Sequence, residues 1–340
     1  MKNLYLIAGP CSAETQDQVF CTAESLKKIG VDCFRAGLWK PRTRPGHFEG
    51  VGEEGIAWMK RVKDELGMKI CTEVAFHEHV ELCRKAGFDM VWIGARTTAN
   101  PFLMQELAES LKGSGMSVLV KNPVNPDVNL WVGAVERLRN AGVEDISAVH
   151  RGFSSYEKYK YRNAPGWQIV SEFRERCPEV PVICDPSHLT GSVELVPEVC
   201  QRAVDLGYDG LMLECHYKPS EALSDAGQQL TPEALNNLIS GLKHERKSAC
   251  DVNSDATVSA LRNEIDAIDA DILKDLGRRM EISRRLGVYK KSNDIPVIQS
   301  GRWEDVISSV SADAKNYGLH EDFVKSIFSI IHDASIEEQN

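Results

Sequence analysis

The stretch WKPRTRPGHFEG, residues 39–50, sets Lys40, Arg42 and Arg44 within five positions, around two prolines and just ahead of His47. The whole chain carries a formal net charge of −10. Cations gathered in a loop that no helix can spread out therefore call for a reason. A solvated loop is one reading; a grip on a small anion is the other. Arg35, Arg96, Lys121 and Arg151 each end or follow an apolar run and could join the same space as Lys40 and Arg42. Six such cations suit a substrate with more than one phosphate, or a phosphate and a carboxylate, because guanidinium meets these groups with paired hydrogen bonds. Cys11, His188, Glu214 and Asp225 form a second set. A thiolate, an imidazole and two carboxylates are donors for a divalent ion such as Mn, Fe, Co or Zn.

These residues need elements to bring them together. β-rich apolar runs occupy 4–10, 33–38, 69–74, 90–95, 117–122, 146–152, 181–187 and 210–216. Amphipathic helical segments separate them, among them DQVFCTAESLKKIG and SVELVPEVCQRAVDLG. Such alternation predicts a parallel sheet covered on both faces. Eight units over about 240 residues give an α/β fold, a (β/α)8 TIM barrel. Cys11 follows the first run, Arg35 ends the second, Glu73 the third and Arg96 follows the fourth. Lys121 ends the fifth, His150 and Arg151 the sixth, Asp185 and His188 the seventh, Glu214 and His216 the eighth. In this fold the active site lies at the C-terminal mouth, where these positions converge. Thr231 reads as the N-cap and Pro232 as the first turn of the last barrel helix. His77 and His79 read as ordinary helix-start residues. The polar stretch 154–163 reads as a solvated loop able to flap over the mouth. Neither GxGxxG nor a P-loop is present, so no nucleotide cofactor is implied.

At 340 residues the chain exceeds one typical core, and two domains are expected. No run of about 18 apolar residues predicts a membrane helix, and the N-terminus reads as a strand rather than a signal peptide. Ten cysteines contain no CxxC pair, which argues against a zinc ribbon or redox motif and for a cytoplasmic location. Cys33, Cys71, Cys184 and Cys215 look like small buried hydrophobes. Net acidity argues against nucleic acid as a partner.

Residues 1–243 thus read as the barrel, 244–256 as a polar linker, and 257–340 as a small all-α three-helix domain that dimerises. Val258, Leu261, Ile265, Ile268 and Ile272 step by threes and fours, predicting a helix from 257 to about 291; shorter helices follow near 302–314 and 321–338. Arg279 and Lys290 lie eleven residues apart, about 20° from one face. Arg262 lies about 100° away from Arg279 and is placed to reach a partner's site rather than its own. Ser335 and Gln339 share a face at i, i+4 spacing.

AGPCS (8–12), KPRT (40–43), IGARTT (93–98), DPSH (185–188) and ECH…ALSD (214–225) resemble the 3-deoxy-D-arabino-heptulosonate-7-phosphate (DAHP) synthase family. The resemblance covers residues 1 to about 243 and looks nearest to the short subgroup shared with octulosonate-phosphate synthases. It implies a metal-dependent condensation of phosphoenolpyruvate with erythrose 4-phosphate. By motif, Cys11, His188, Glu214 and Asp225 match metal ligands, and Arg35, Lys40, Arg96, Lys121 and Arg151 match the phosphoenolpyruvate site. Arg42 and Thr43 match the aldose-phosphate site, while Glu73 with Lys121 would position the attacking water. Arg44 departs from the small hydroxyl residue the family often carries there. LRNEIDAIDADILKDLGRRMEI…VYKK with PVIQSGRW and FSIIHDASIEEQ is similar to the all-helical chorismate mutase family. That resemblance, over 257–340, implies an intertwined homodimer and chorismate binding by Arg262, Arg279, Lys290, Arg302, Ser335 and Gln339. Lys290 and Gln339 would stabilise the ether oxygen of a pericyclic transition state. Gln299 and Trp303 stand where acidic residues are common. A fusion of these two activities implies feedback by the helical domain's ligand, chorismate or prephenate. The competing expectation makes the helices a non-catalytic sensor and dimer clamp.

Overall fold

The computed structural model describes residues 4–40, 46–156, 159–243, 256–298 and 301–339, which fall into two compact units, Met1–Glu245 and Arg246–Asn340. Arg42, Thr43, Arg44, Gln299 and all of the expected linker but Ala256 lie outside the described residues.

In the first unit eight strands alternate with helices. The strands are β1 (Tyr5–Gly9), β2 (Cys33–Arg35), β3 (Lys69–Val74), β4 (Met90–Ile93), β5 (Ser117–Lys121), β6 (Ile146–His150), β7 (Val182–Cys184) and β8 (Gly210–Glu214). All pair in parallel as a closed barrel in sequence order, and β1 closes on β8 from Tyr5↔Gly210 to Gly9↔Glu214. The helices are α1 (Gln16–Ile29), α2 (Glu54–Leu66), α3 (His77–Ala86), α4 (Ala95–Thr98), α5 (Pro101–Leu111), α6 (Val128–Asn140), α7 (Trp167–Arg176), α8 (Pro186–Thr190), α9 (Val196–Asp205) and α10 (Pro232–Gly241). Several begin at residues that supply an oxygen to the free N–H groups of the first turn. Thr231 accepts from Ala234, and Asp185 accepts from His188 at the head of α8.

Two apolar layers follow from the strands' two-residue period. One lies between strands and helices and includes Cys184 and Cys215. The other fills the barrel: Ile7, Cys33, Cys71, Met90, Trp92, Leu119, Val149, Ile183 and Met212. Two residues beyond these plugs, on the same face, stand Arg35, Glu73, Gly94, Lys121, Arg151, Asp185 and Glu214. Side chains are thereby delivered to the mouth by parity, one position from each of the seven strands after β1.

The second unit contains α11 (Ala256–Ser292), α12 (Arg302–Ala314) and α13 (Glu321–Glu337). Ser283, Lys290, Ala314, Val324 and Ser335 are buried within it, whereas Leu261, Ile265, Ile268 and Ile272 stay 52–56% exposed. Among the described residues no helix is long and apolar enough to cross a membrane.

Candidate functional site

The barrel mouth holds a cavity of about 570 Å³ lined by Lys40, His47, Glu73, Arg96, Lys121, Arg151, His188 and Asp225, together with Arg162 and Asn163 from the stretch expected to be solvated. Its floor is a chain of opposite charges. Arg35 is fully buried, with NH2 3.2 Å from Glu214 Oε1 and its guanidinium carbon 4.6 Å from the centre of the Trp92 ring. Lys121 Nζ donates to Asp185 Oδ2 at 2.8 Å. Asp185 also holds His188, whose Nδ1 lies 3.0 Å from Oδ1, which turns His188 Nε2 toward Glu214 Oε1 at 3.5 Å. Lys40 Nζ lies 2.6 Å from Cys11 Sγ, and Cys11 Sγ is 3.4 Å from Asp225 Oδ2.

These pairings set the protonation states. Burial alone would raise the carboxyls of Asp185 and Glu214, but His188 lowers both, helped by Lys121 for Asp185 and by Arg35 for Glu214. Burial would likewise raise Asp225, yet Lys40, His188 and Arg162 bring it to about 2. Burial, reinforced by Glu214, pushes the Cys11 thiol up to about 12 against the pull of Lys40. Arg151 donates to neutral oxygens, Gly152 O at 3.2 Å and Asn163 Oδ1 at 2.9 Å, and burial lowers its guanidinium to about 10. A cation so placed gains from an incoming anion.

The four expected ligands meet at one mouth, and their chemistry fits a divalent ion of intermediate softness. Glu214 Oε1 is buried with no hydrogen-bond partner, and His188 is fixed by a carboxylate on its far nitrogen, the usual support of a metal-bound imidazole. Among the described residues no group of three such donors is drawn close enough to hold an ion as it stands; the Lys40 ammonium occupies the space beside the thiol.

Glu73 lines the same cavity without bonding Lys121. Its Oε2 accepts from Trp92 Nε1 at 3.0 Å, and its Oε1 lies where a side chain on Gly94 would stand, 2.2 Å from an added Cβ. Only glycine at 94 leaves room for that carboxylate. Arg96 opens onto the cavity from α4, whereas Arg35 lies beneath it with Nε and NH1 unpartnered.

Two histidines expected at the strand ends turn away. His150 precedes Arg151, so the pleat points it outward, where Nε2 donates to Pro165 O at 2.6 Å and Nδ1 accepts from Tyr208. His216 lies past the end of β8, buried with Nε2 3.8 Å from Glu14. His77 does start α3, and His79 does more than start it: its ring stacks on Trp39 at 3.9 Å, bracing the base of the 39–50 loop.

In the helical unit Arg279 donates to Ser335 Oγ, and to Ile331 O at 3.3 Å. Lys290 donates to Gln339 Oε1 at 2.9 Å and Val297 O at 2.7 Å. Four of the expected residues are therefore brought together between α11 and the segment formed by α13 and Gln339. Arg302 is exposed at the start of α12. Arg262 is exposed on α11, seventeen residues and about 26 Å along the axis from Arg279. Trp303 stacks on His332 at 4.2 Å.

Comparison with known proteins agrees with this division. Residues 2–249 match the DAHP synthetase I family, and residues 261–340 match chorismate mutase type II. The chain is 32% identical over 239 residues to a phospho-2-dehydro-3-deoxyheptonate aldolase of Thermotoga maritima, covering 70% of this chain and 68% of that protein. It is 29% identical over 272 residues to a 2-dehydro-3-deoxyphosphooctonate aldolase of Campylobacter jejuni, covering 71% and 96%. The crystal structure of a Thermotoga maritima DAHP synthase superposes with a TM-score of 0.63 at 30% identity, over 70% of this chain and 67% of that one. A truncated form of the Thermotoga maritima synthase gives 0.60 at 28%, over 70% and 84%.

Proposed function

Because the chain belongs to the DAHP synthetase I family and ends in a chorismate mutase type II domain, we propose that it condenses phosphoenolpyruvate with erythrose 4-phosphate and rearranges chorismate to prephenate. The observation that carries the first activity is the ring of Arg96, Lys121 and Arg151 around one cavity with His188 and Asp225 at its edge. The cations receive the phosphate and carboxylate of phosphoenolpyruvate. The C3 carbon of the enol attacks the aldehyde carbon, water adds to C2, and C–O cleavage releases phosphate. Cys11, His188, Glu214 and Asp225 would hold a divalent ion, which supplies Lewis-acid polarisation of the aldehyde. Glu73 and Lys121 face the cavity from adjacent sides, Glu73 fixed by Trp92 and Lys121 by Asp185. They are the pair placed to orient the water and carry its proton. Arg42 and Thr43 are assigned the aldose phosphate on their KPRT motif.

For the second activity, Arg279 with Ser335 and Lys290 with Gln339 present donors on two sides of α11–α13. A pericyclic rearrangement needs only that the dicarboxylate be held in its reactive conformer and the ether oxygen stabilised. Arg262 is too distant to serve the same pocket, and the half-exposed Leu261, Ile265, Ile268 and Ile272 beside it leave an apolar stripe for a second copy. We therefore assign an intertwined homodimer in which Arg262 and its stripe serve the partner. The described cysteines are free thiols, in keeping with a cytoplasmic protein. Pairing an early reaction with a later one also favours feedback, prephenate at the helices restraining the barrel.

The test uses the full chain. Wild type should release phosphate with erythrose 4-phosphate in preference to arabinose 5-phosphate and should consume chorismate. Lys121→Ala should lose the first activity and keep the second; Lys290→Ala should do the reverse. Chorismate left unconsumed by wild type would reduce the helices to a sensor and dimer clamp.

A further inference from the structure

Residues 162 and 163 belong to the polar β6–α7 connection, yet they reach both the candidate ion ligands and a cation of the mouth. Arg162 NH1 donates to Asp225 Oδ1 at 3.2 Å and to Gln228 Oε1 at 2.8 Å. Gln228 Nε2 passes the contact on to Glu214 Oε2 at 2.7 Å. Asn163 faces the other way: its Nδ2 donates to His188 O at 2.7 Å, and its Oδ1 accepts from Arg151 NH1 at 2.9 Å. One dipeptide thus touches, directly or through a single glutamine, three of the four candidate ion ligands and a cation assigned to substrate.

Its backbone is fixed. Arg162 N donates to Thr190 O and Asn163 N to Leu189 O, each at 3.1 Å, while Ala164 and Phe153 exchange bonds of 2.9 and 2.8 Å. Gly191, at φ +69°, lets the Arg162 side chain pass; an added Cβ there would lie 2.7 Å from Arg162 Cβ. Asp225 adopts φ +45°, a conformation that costs a non-glycine residue free energy and persists where its surroundings hold it.

We propose that Arg162 and Asn163 are positioning residues that tie the ion-ligand cluster to the phosphate grip. Arg162 holds Asp225 by Oδ1, which keeps Oδ2 turned toward Cys11 Sγ, and its bond to Gln228 braces Glu214. Asn163 locks the guanidinium of Arg151 to the helix that carries His188. Once Lys40 gives way beside the thiol, a divalent cation and a phosphate-bearing enol would share this bracing, so that each favours the other. This rests on the assignment of Cys11, His188, Glu214 and Asp225 as the cation site.

The experiment titrates Co²⁺ into chelator-treated full-length protein, reading the near-ultraviolet thiolate-to-cobalt band that marks Cys11 ligation. Wild type should show the band. Arg162→Gln should reach the same final intensity with a Kd raised about tenfold, within the range that supporting residues of metal sites command. Arg162→Lys, which keeps the charge without the fork, should fall between. Asn163→Ala should bind Co²⁺ nearly as wild type yet lose the Co²⁺-dependent gain in phosphoenolpyruvate affinity measured by equilibrium dialysis. Far-ultraviolet circular dichroism and the urea-denaturation midpoint of the barrel report that each variant is folded. No band in wild type would overturn the cation-site assignment itself. A wild-type band with unchanged Kd in both Arg162 variants would overturn the positioning role and leave that assignment standing.

Discussion

Lowering the pH from 7 to 5 should destabilise the barrel by about 2 kcal/mol through His150 alone. This imidazole is fully buried, donates through Nε2 to Pro165 O and accepts at Nδ1 from Tyr208. Burial lowers it from 6.5 to about 4; the Pro165 bond and Asp185 pull upward, Arg151 and Arg174 downward. The sign follows directly. The unfolded chain takes up the proton below pH 6.5 and the native protein only below about 4, so the stability is fully present above 6.5. It declines as pH falls and is lost by about 4, for a total near 3 kcal/mol. Asp185, Glu214 and Asp225 are all lowered from their ordinary values, so they stay ionised in the native state across this window and contribute little there. Urea denaturation at pH 7 and pH 5 measures the effect, with His150→Gln as reference, since glutamine keeps a donor for Pro165 but takes up no proton. The variant should be less stable at pH 7, yet its loss between pH 7 and 5 should be about 2 kcal/mol smaller. His79 and His188, also lowered by burial, are common to both proteins and cancel. Equal pH sensitivity in the two would refute the reasoning.

Removal of divalent ions by a chelator should abolish phosphate release from phosphoenolpyruvate and leave chorismate turnover unchanged, followed as two assays on one sample. Trp92→Phe deletes the indole donor to Glu73 and weakens the ring beneath Arg35. A buried polar contact of this kind is worth about 1–3 kcal/mol when one partner is left unpaired. We expect a comparable loss of stability in denaturation and about a tenfold fall in kcat for condensation, smaller than the roughly 10²–10⁴-fold that removing a proton carrier outright costs.

Much of the barrel could be read from the chain because near-continuous apolar runs of a few residues, regularly spaced, admit few arrangements other than parallel strands between helices. The same runs gave Arg35, Glu73, Lys121 and Glu214 their place, each standing two residues past a plug in the barrel. Where the reading failed, parity explains it: His150 and Arg151 are adjacent, and the two-residue period lets only one of them face the mouth. Asp185, also at the mouth, serves as cap, imidazole anchor and Lys121 partner at once, which residue type alone does not announce. Arg162 and Asn163 are marked in sequence only as part of a polar loop able to flap over the mouth, not as site residues. Their stretch is polar and follows no period, and their role arises from contacts with residues 188 and 225–228, which only the folded chain brings near. On α11 the three-and-four spacing was enough to mark an apolar face, but not what covers it.

The acidic chain and its cationic mouth are not in conflict. Arg35 is set against Glu214 and Lys121 against Asp185, so much of the cost of burying these two cations is offset before any substrate arrives, while the half-exposed Arg162 pairs with Asp225 at the rim. Charges held this way move little when a phosphate enters, which is what a rigid electrostatic site requires. Arg151 differs, since its own hydrogen bonds go to neutral oxygens and burial lowers its guanidinium. An entering phosphate would find there a guanidinium that no carboxylate hydrogen-bonds directly, with Asp185 and Asp225 acting on it only through space. On the proposed assignment Arg151 is a phosphate contact, and Asn163, which accepts from its NH1, would keep it aimed at the cavity.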